Sequence, residues 1–270
     1  MRFEDIKKER DLIAYLDNVS DRLDGRRYIY HYTRLERCID IFTSRLWFLS
    51  GANCMNDQLE YKNGDAKTWK NLFFACFMSD ADESIGMWSM YSQPWKDGVQ
   101  IAIPVSVAKK WIKGVRYIRE ISCTNFKPTG KTIDCNNQNR VFLSSVAYST
   151  CDNPIDGQDR LSWSTVRNTN FPKASHNALL TGYVKDAAWE YEKELRIKAV
   201  IDNSRGFSKV AIDVPEFVLD AIVLTASPLF DGNLKDRLEK TIKRAFNTEK
   251  SLFSERLKLY NICDTCPRKK

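Results

Sequence analysis

The amino-acid sequence predicts a single α+β domain, and three observations lead to that prediction. Segments with apolar residues at helical spacing alternate along the chain with short segments rich in β-branched and aromatic residues. No stretch rich in Pro, Gly or Ser divides the chain, and no internal repeat is visible. A chain of 270 residues is long enough to enclose one large core. We therefore predict one domain over residues 28–262, an N-terminal helical extension over 1–27 and a basic tail over 263–270.

The first half of the chain is predicted to begin with a helix and to continue mainly as strands. Residues 1–24 carry apolar side chains at helical spacing and predict that first helix. Thr33 is the predicted N-cap of a second helix, with Glu36 completing a capping box. Residues 122–140 are polar and predict a long loop or insertion. The other predicted elements are strands at 28–32, 46–49, 71–78, 99–103 and 115–121, and short helices from Ser84 or Glu83 and from Val107.

The second half is predicted to contain a long loop-rich stretch followed by further strands and helices. Residues 141–148 fit a strand or a helix equally well, and 149–175 are rich in loop residues. A helix over 178–186 is predicted to lead into a strand over 189–197. Asp231 is the predicted N-cap of a helix. The remaining predicted strands are 205–213, 221–225 and 257–262.

Composition indicates a cytoplasmic protein whose basic charge suits an anionic partner but is also that of an ordinary basic soluble protein. No apolar run approaches the ~20 residues that a membrane helix needs, and the N-terminal residues lack the apolar stretch of a signal peptide. In the cytoplasm the eight cysteines would be reduced. The net charge of +7 suits a nucleotide, a nucleic acid or an acidic protein, although the basic residues are spread along the chain. Because no apolar run is long enough to cross a membrane, we expect no membrane partner.

The segment 189–197 is the first candidate for chemistry, because it places three glutamates at alternate positions. As a strand it would put Glu190, Glu192 and Glu194 on one face with Arg196, where like charges repel unless cations or a substrate compensate them. As a helix it would instead give an ordinary surface ion pair between Glu192 and Arg196. The β-branched residues that follow favour the strand.

Other polar residues in the sequence carry weaker signals. Cys263 and Cys266 have metal-ligand spacing, but no second close Cys or His pair completes a zinc site, so we expect no metal. Asn56 and Asp57 are typical of a structural turn. His176 lies in a loop-rich stretch with no evident partner. The sequence contains no Gly-rich phosphate loop, nucleophile elbow or zinc-protease motif.

Several short motifs occur in an order that is typical of one protein family. They are Tyr30-His31-Tyr32-Thr33, Leu46-Trp47-Phe48, Asn56-Asp57 with Glu60, Cys76-Phe77-Met78-Ser79, Met87-Trp88-Ser89-Met90-Tyr91, Gly98-Val99 and the segment 189–197. Together they resemble the bacterial domain-of-unknown-function family numbered 2971, over about residues 28–262. Gln58 departs from the family, in which Pro usually follows Asn-Asp.

The same pattern is similar to that of the ADP-ribosyltransferase superfamily, which implies a fold and a site. The implied fold is a split mixed or antiparallel sheet core with flanking helices. In that superfamily a His on the first core strand holds the ribose, an aromatic residue stacks on nicotinamide, and a Glu begins a late strand. These roles fall on His31, Tyr91 and Glu194, with Glu192 as the first member of Glu-x-Glu. Four further residues are expected in the cofactor site, namely Tyr32, Thr33, Trp88 and Arg196.

The resemblance implies that NAD is the substrate and that Glu194 and Glu192 are catalytic. Cleavage of the nicotinamide–ribose bond passes through an oxocarbenium-like state, which a carboxylate beside the ribose stabilises. A second carboxylate can activate an acceptor, either a nucleic acid or a protein, or water if NAD is hydrolysed. Bacterial proteins of this type are commonly toxins or phage-defence effectors.

Two other functions fit the residues. One is a non-catalytic module that binds a nucleotide or nucleic acid through its aromatic residues and Arg196, with the glutamates in structural ion pairs. The other is a metal-dependent nuclease in which Asp57, Glu60 and the glutamates hold Mg²⁺.

Overall fold

The computed structural model describes residues 27–55, 69–79, 83–135, 140–149, 182, 184–202 and 206–254. The strands in these residues are β1 (Tyr28–Arg34), β2 (Leu46–Gly51), β3 (Leu72–Met78), β4 (Gly98–Pro104), β5 (Tyr117–Ile121), β6 (Pro128–Asp134), β7 (Arg140–Ser145), β8 (Ala147–Ser149), β9 (Val184–Asp186), β10 (Glu194–Val200), β11 (Lys209–Asp213), β12 (Val223–Ala226) and β13 (Asn247–Glu249). The α-helices are α1 (Leu35–Ser44), α2 (Ile85–Tyr91), α3 (Val105–Gly114), α4 (Glu216–Ala221) and α5 (Leu234–Ile242). Short 3-10 helices cover Ala52–Cys54, Trp95–Asp97 and Ala187–Glu192.

An open, mixed sheet of 11 strands dominates the molecule, so the predicted α+β class is confirmed. The main strand order is β13-β12-β4-β1-β3-β2-β11-β5-β6, and β10 pairs with both β3 and β7. Neighbouring strands are antiparallel except β12 and β13, which are parallel. Strands β8 and β9 form a separate parallel pair.

The sheet divides along β3, because one edge of that strand has two partners. Strand β10 pairs with the other edge of β3 over its whole length, from Leu72 to Met78. On the divided edge, β1 pairs with β3 at Met78 and β2 pairs with it at Phe73 and Phe74. Cys76 therefore lies on β3 between the two partners, at the point where β1 and β2 diverge.

Four helices cover one face of the sheet and form the main core. Buried residues of α1, α3, α4 and α5 pack there against alternate residues of the central strands. The strand residues on this face include Ile29, Phe77 and Leu195. Helix α2 instead packs on the opposite face, where Met87 and Trp88 contact Tyr32 and Met78. The candidate site lies on this second face.

Helix starts were predicted with mixed success. The predicted capping box at Thr33 is wrong, because β1 continues to Arg34 and that residue is the N-cap of α1 without a side-chain cap. At α2, the side chain of Ser84 accepts a hydrogen bond from Met87 N, as its predicted position at the helix start requires. At α5 the cap is Asn233, whose side chain accepts from Asp236 N, and not Asp231.

Two segments predicted as loop or helix contain strands. Strand β6 lies within the predicted loop 122–140 and is exposed along almost its whole length. Its starting Pro128 lacks an N–H, which an edge strand tolerates. Residues 184–186, at the end of the predicted helix 178–186, form β9. Residues 140–145, which fitted either class, form β7.

Several predictions fall outside the described residues. They are the helix over 1–24, the turn at Asn56 and Asp57, Glu60, His176, the strand over 257–262 and the thiols Cys263 and Cys266. In the described part of the chain, no helix has both the length and the apolar character needed to cross a membrane.

Candidate functional site

The candidate site is a turn that brings two glutamates together at the start of β10. Glu192 ends the 3-10 helix Ala187–Glu192, and Glu194 is the first residue of β10. Between them Lys193 has a φ of 43°, which ends the 3-10 helix and starts the strand in a new direction. The predicted strand over 189–197 is therefore wrong for 189–193. Glu190 is directed away from its neighbours, 57% exposed, and pairs with Lys193.

Lys185 of β9 lies between the two carboxylates. Its Nζ donates to Oε2 of Glu192 at 2.5 Å and to Oε2 of Glu194 at 3.3 Å. The same Nζ lies 4.5 Å from the ring centroid of Trp189, within cation–π range. Burial by itself would lower the pKa of Lys185, but the charges of Glu194 and Glu192 raise it above its usual value. The ammonium is therefore charged.

Arg196 holds the second carboxylate. Its Nε donates to Oε1 of Glu194 at 2.7 Å and its Nη2 to Oε2 at 2.9 Å, a bidentate pair. Its Nη1 donates to the carbonyl oxygen of Gly182 at 2.7 Å. Burial alone would raise the pKa of Glu194, but Arg196 and Lys185 lower it to about 2. Glu194 is therefore an ionised group in a fixed orientation, although it is almost fully buried.

Tyr91, at the end of α2, completes the cluster from a distant part of the sequence. Its hydroxyl donates to Oε1 of Glu192 at 2.7 Å across 101 positions of sequence. Burial and this hydrogen bond raise the pKa of Tyr91, so its hydroxyl stays protonated and donates. We call Lys185, Glu192, Glu194, Arg196 and Tyr91 the carboxylate cluster.

An aromatic group beside the cluster fixes the position of α2. The rings of Tyr32 and Trp88 meet edge-to-face with centroids 4.8 Å apart. Trp88 Nε1 donates to Oε1 of Glu83 at 2.7 Å, and Leu252 N donates to Oε2 of the same carboxylate at 2.7 Å. The hydroxyl of Ser251 also donates to Glu83. The contacts of Trp88 with Tyr32 and Glu83 thus hold in place the helix that carries Tyr91.

His31 lies on the opposite face of the sheet from the cluster. Tyr30 pairs with Met78, and Met78 pairs with Glu194, so these three residues share a face and His31 has the other. Its imidazole packs near the rings of Trp47 and Phe77, with centroids 5.3 and 5.5 Å away. Burial lowers the pKa of His31, although a hydrogen bond to the carbonyl of Cys76 partly opposes this effect.

The structure thus brings together four of the predicted site residues, namely Tyr91, Glu192, Glu194 and Arg196. It places Tyr32 of β1 and Trp88 of α2 in the aromatic group that Tyr91 packs against. Thr33 and His31 are alternate residues of β1 and share the core face. The described residues contain no group of three His, Cys, Asp or Glu side chains that could hold a metal ion.

Sequence reasoning missed Lys185 and Tyr30. Lys185 fell in a predicted helix, and its sequence gives no sign that β9 returns to the glutamates. The sequence does show that Tyr30 and His31 lie on opposite faces of β1, because side chains alternate along a strand. It does not show which of the two shares a face with Glu194.

One family comparison bears on this site. Residues 87–197 match the model of a family described as "Protein of unknown function (DUF2971)". The predicted resemblance to this family is confirmed over these residues, a shorter segment than the 28–262 expected. The DUF2971 segment begins within α2 and ends within β10, so it contains the whole carboxylate cluster and leaves out β1 with His31. No curated protein matches the chain.

Proposed function

We propose that the protein is an NAD-consuming enzyme of ADP-ribosyltransferase type. The observation that carries the proposal is the convergence of Tyr91 with Glu192 and Glu194. Helix α2 contributes the aromatic residue that the resemblance implies, and the Glu-x-Glu pair spans the end of the 3-10 helix and the start of β10. The acceptor is a nucleic acid, a protein or water.

Glu194 is the residue to which we assign stabilisation of the oxocarbenium-like state. Its carboxylate is ionised over the whole physiological pH range, since its pKa is lowered to about 2. Arg196 holds both of its oxygens, so the charge has a fixed direction before substrate arrives. A fixed charge needs no reorganisation as positive charge develops on the ribose.

Glu192 is assigned to the acceptor. It lies at the end of the 3-10 helix and accepts a hydrogen bond from the Tyr91 hydroxyl. Glu192 is itself buried, but the Tyr91 side chain that contacts it is partly exposed. A carboxylate there can accept a proton from an attacking hydroxyl, amine or water as the new bond to ribose forms.

Tyr30, and not His31, is the β1 residue that we assign to the substrate side. Two strand spacings separate the backbones of Tyr30 and Glu194, which is about 10 Å. The ribose–nicotinamide part of NAD can bridge a span of that size. His31 would have to cross the sheet to reach the same point.

A second candidate is a binding module without catalysis, and the charge balance favours it. Two cations face two carboxylates in the cluster, and all four side chains are at most 7% exposed. Such a network can be purely structural, because a buried carboxylate must be paired in any protein. The aromatic residues beside the cluster would then hold a nucleotide without turning it over, while Arg196 stays paired with Glu194.

Nicotinamide release from NAD by the purified protein separates the two functions. Under the enzyme proposal the wild-type protein releases nicotinamide and Glu194→Gln loses at least ~10²-fold in rate. Glu190→Gln is the matched control. Glu190 belongs to the same turn but is exposed, and its carboxylate pairs with Lys193, which is outside the carboxylate cluster. It should retain the wild-type rate.

NAD binding and thermal unfolding are measured on the same three proteins, so that a folding defect is not mistaken for lost chemistry. Glu192→Gln should impair transfer to an acceptor more than NAD hydrolysis. Wild-type protein that binds NAD but releases no nicotinamide, with nucleic-acid and protein acceptors present, would refute the enzyme and favour the binding module.

A further inference from the structure

Lys185 is placed so that a single ammonium group serves both carboxylates. Its Nζ contacts one Oε2 atom of each, at 2.5 and 3.3 Å, so those two oxygens lie within about 6 Å of each other. Arg196 forms its bidentate pair with Glu194, and Tyr91 binds Glu192. The contacts of Lys185 therefore join the two halves of the cluster.

Two carboxylates at this separation cannot both stay ionised without a cation between them. In a buried site, like charges a few ångströms apart force one group to take up a proton. Arg196 compensates one of the two negative charges, and its contacts are on the side of Glu194. Removal of Lys185 would leave two buried carboxylates and one buried guanidinium.

The other titratable groups around the pair do not replace this cation. Tyr91 of α2 is a neutral donor, and the side chain of Cys76 of β3, which forms a hydrogen bond with Glu194, brings no positive charge. Tyr191 of the 3-10 helix lies near Glu192 and is itself uncharged at neutral pH. Lys198 of β10 is fully buried, and burial and the charge of Arg196 lower its pKa well below the usual value.

The position of Lys185 is fixed by Trp189 and by strand β8, and neither contact depends on the charges of Glu192 and Glu194. Its side chain is buried, and its ammonium lies over the ring of Trp189, two residues before Tyr191 in the 3-10 helix. The strand β9 that carries it pairs in parallel with β8, so its backbone position does not depend on the glutamates. Lys185 is therefore held in place by contacts other than its ion pairs with Glu192 and Glu194.

We propose that Lys185 is a positioning residue that supplies the cation between Glu192 and Glu194 and holds their carboxylates side by side. The catalytic part of this inference rests on the proposed function, whereas the electrostatic part does not. On that basis the charge of Lys185 keeps the two carboxylates from sharing a proton. Glu194 can then stabilise the oxocarbenium-like state while Glu192 accepts a proton from the acceptor.

Infrared titration of the protein labelled with ¹³C-carboxyl glutamate tests the electrostatic part directly. In Lys185→Met, a protonated glutamate band should persist at pH 6 or above, because the unbalanced pair takes up a proton. Wild type and Lys185→Arg, which restores the cation, should lack this band. Lys193→Met is the matched control, since Lys193 lies between the two glutamates in sequence but contacts the exposed Glu190.

A second variant keeps the test decisive if Lys185→Met unfolds. The double variant Lys185→Met/Glu192→Gln removes one acid together with the cation and should melt at a higher temperature than Lys185→Met. A folded Lys185→Met without the protonated band, or a double variant no more stable than the single one, would overturn the proposal.

The pH dependence of nicotinamide release then tests the catalytic part. In Lys185→Met the acidic limb of the rate profile should move upward by at least one pH unit relative to wild type, and Lys185→Arg should restore it. An unmoved limb contradicts the positioning role. Wild-type protein that releases no nicotinamide refutes the proposed function alone, because the infrared result still decides what Lys185 does.

Discussion

The imidazole Nδ1 of His31 donates a hydrogen bond to the main-chain carbonyl of Cys76 at 2.8 Å. Cys76 lies on β3 where β1 and β2 diverge, between the pair at Met78 and the pair at Phe74. A carbonyl at such a point has lost its partner in the ladder and needs a donor. The histidine side chain provides it, so His31 links β1 to β3 at the division of the sheet.

Replacement of His31 tests this structural role. His31→Phe keeps an aromatic ring between Trp47 and Phe77 but removes the donor to Cys76, and it should lower the free energy of unfolding by about 1–3 kcal/mol. Chemical denaturation of both proteins measures the difference. NAD binding by the folded variant should stay at the wild-type level. A variant of normal stability that no longer binds NAD would return His31 to the substrate site.

The lowered pKa of Glu194 predicts a specific loss of stability in acid. Its pKa is about 2 in the folded protein against 4.5 ordinarily, so the unfolded chain binds a proton first as the pH falls. The stabilisation is complete above about pH 4.5 and is lost as the pH falls through about 2. It amounts to about 3 kcal/mol. The free energy of unfolding, measured from pH 6 to 2, should therefore fall more steeply for wild type than for Glu194→Gln. Parallel curves would show that the ion pair contributes nothing.

Gly182 is predicted to resist substitution for two reasons. Its φ is 81°, and a Cβ there would lie 2.5 Å from Cζ of the buried Phe74. Gly130 has a similar φ of 83° but open space around it, which makes it a matched control. Gly130→Ala should cost about 1 kcal/mol from backbone strain alone, and Gly182→Ala should cost clearly more. Thermal unfolding of both variants gives the comparison, and equal losses would show that Phe74 moves aside freely.

Two tryptophans allow the value of an indole hydrogen bond to be measured. Trp88 Nε1 donates to Glu83, whereas the buried Nε1 of Trp95 has no hydrogen-bond partner within the described ranges. Trp88→Phe should therefore destabilise the protein more than Trp95→Phe, by at least ~1 kcal/mol, because only the first change deprives a carboxylate of a donor. Urea denaturation of the two variants provides the test. The opposite order would mean that packing, and not the hydrogen bond, dominates at Trp88.

The parts of the fold that the sequence predicts are those with strong local patterns. The apolar run of β3, the Ser84 cap of α2 and the strand after Leu195 follow from alternation, capping and β-branched residues. The division of the sheet is not a local property. It depends on which strands share the edge of β3, and no spacing within the chain specifies that.

The carboxylate cluster was predictable only in its glutamates, Tyr91 and Arg196. The strand prediction for 189–193 failed because Lys193 adopts a positive φ, a conformation that lysine rarely takes and that no sequence pattern announces. Lys185 was missed because its role depends on β9 pairing with β8 and returning to the glutamates. Burial of two acids required cations in general, but it did not say which ones.

Glu83 connects α2 to the C-terminal end of the described chain, because its carboxylate accepts hydrogen bonds from Trp88 of α2 and from Ser251 and Leu252. A shortened recombinant fragment that ends after β13 would contain every strand and helix named above. It would nevertheless lose two of the three donors that orient the start of α2. Such a fragment would therefore disturb the helix that carries Tyr91, although Ser251 lies 168 positions away from Glu83 in sequence.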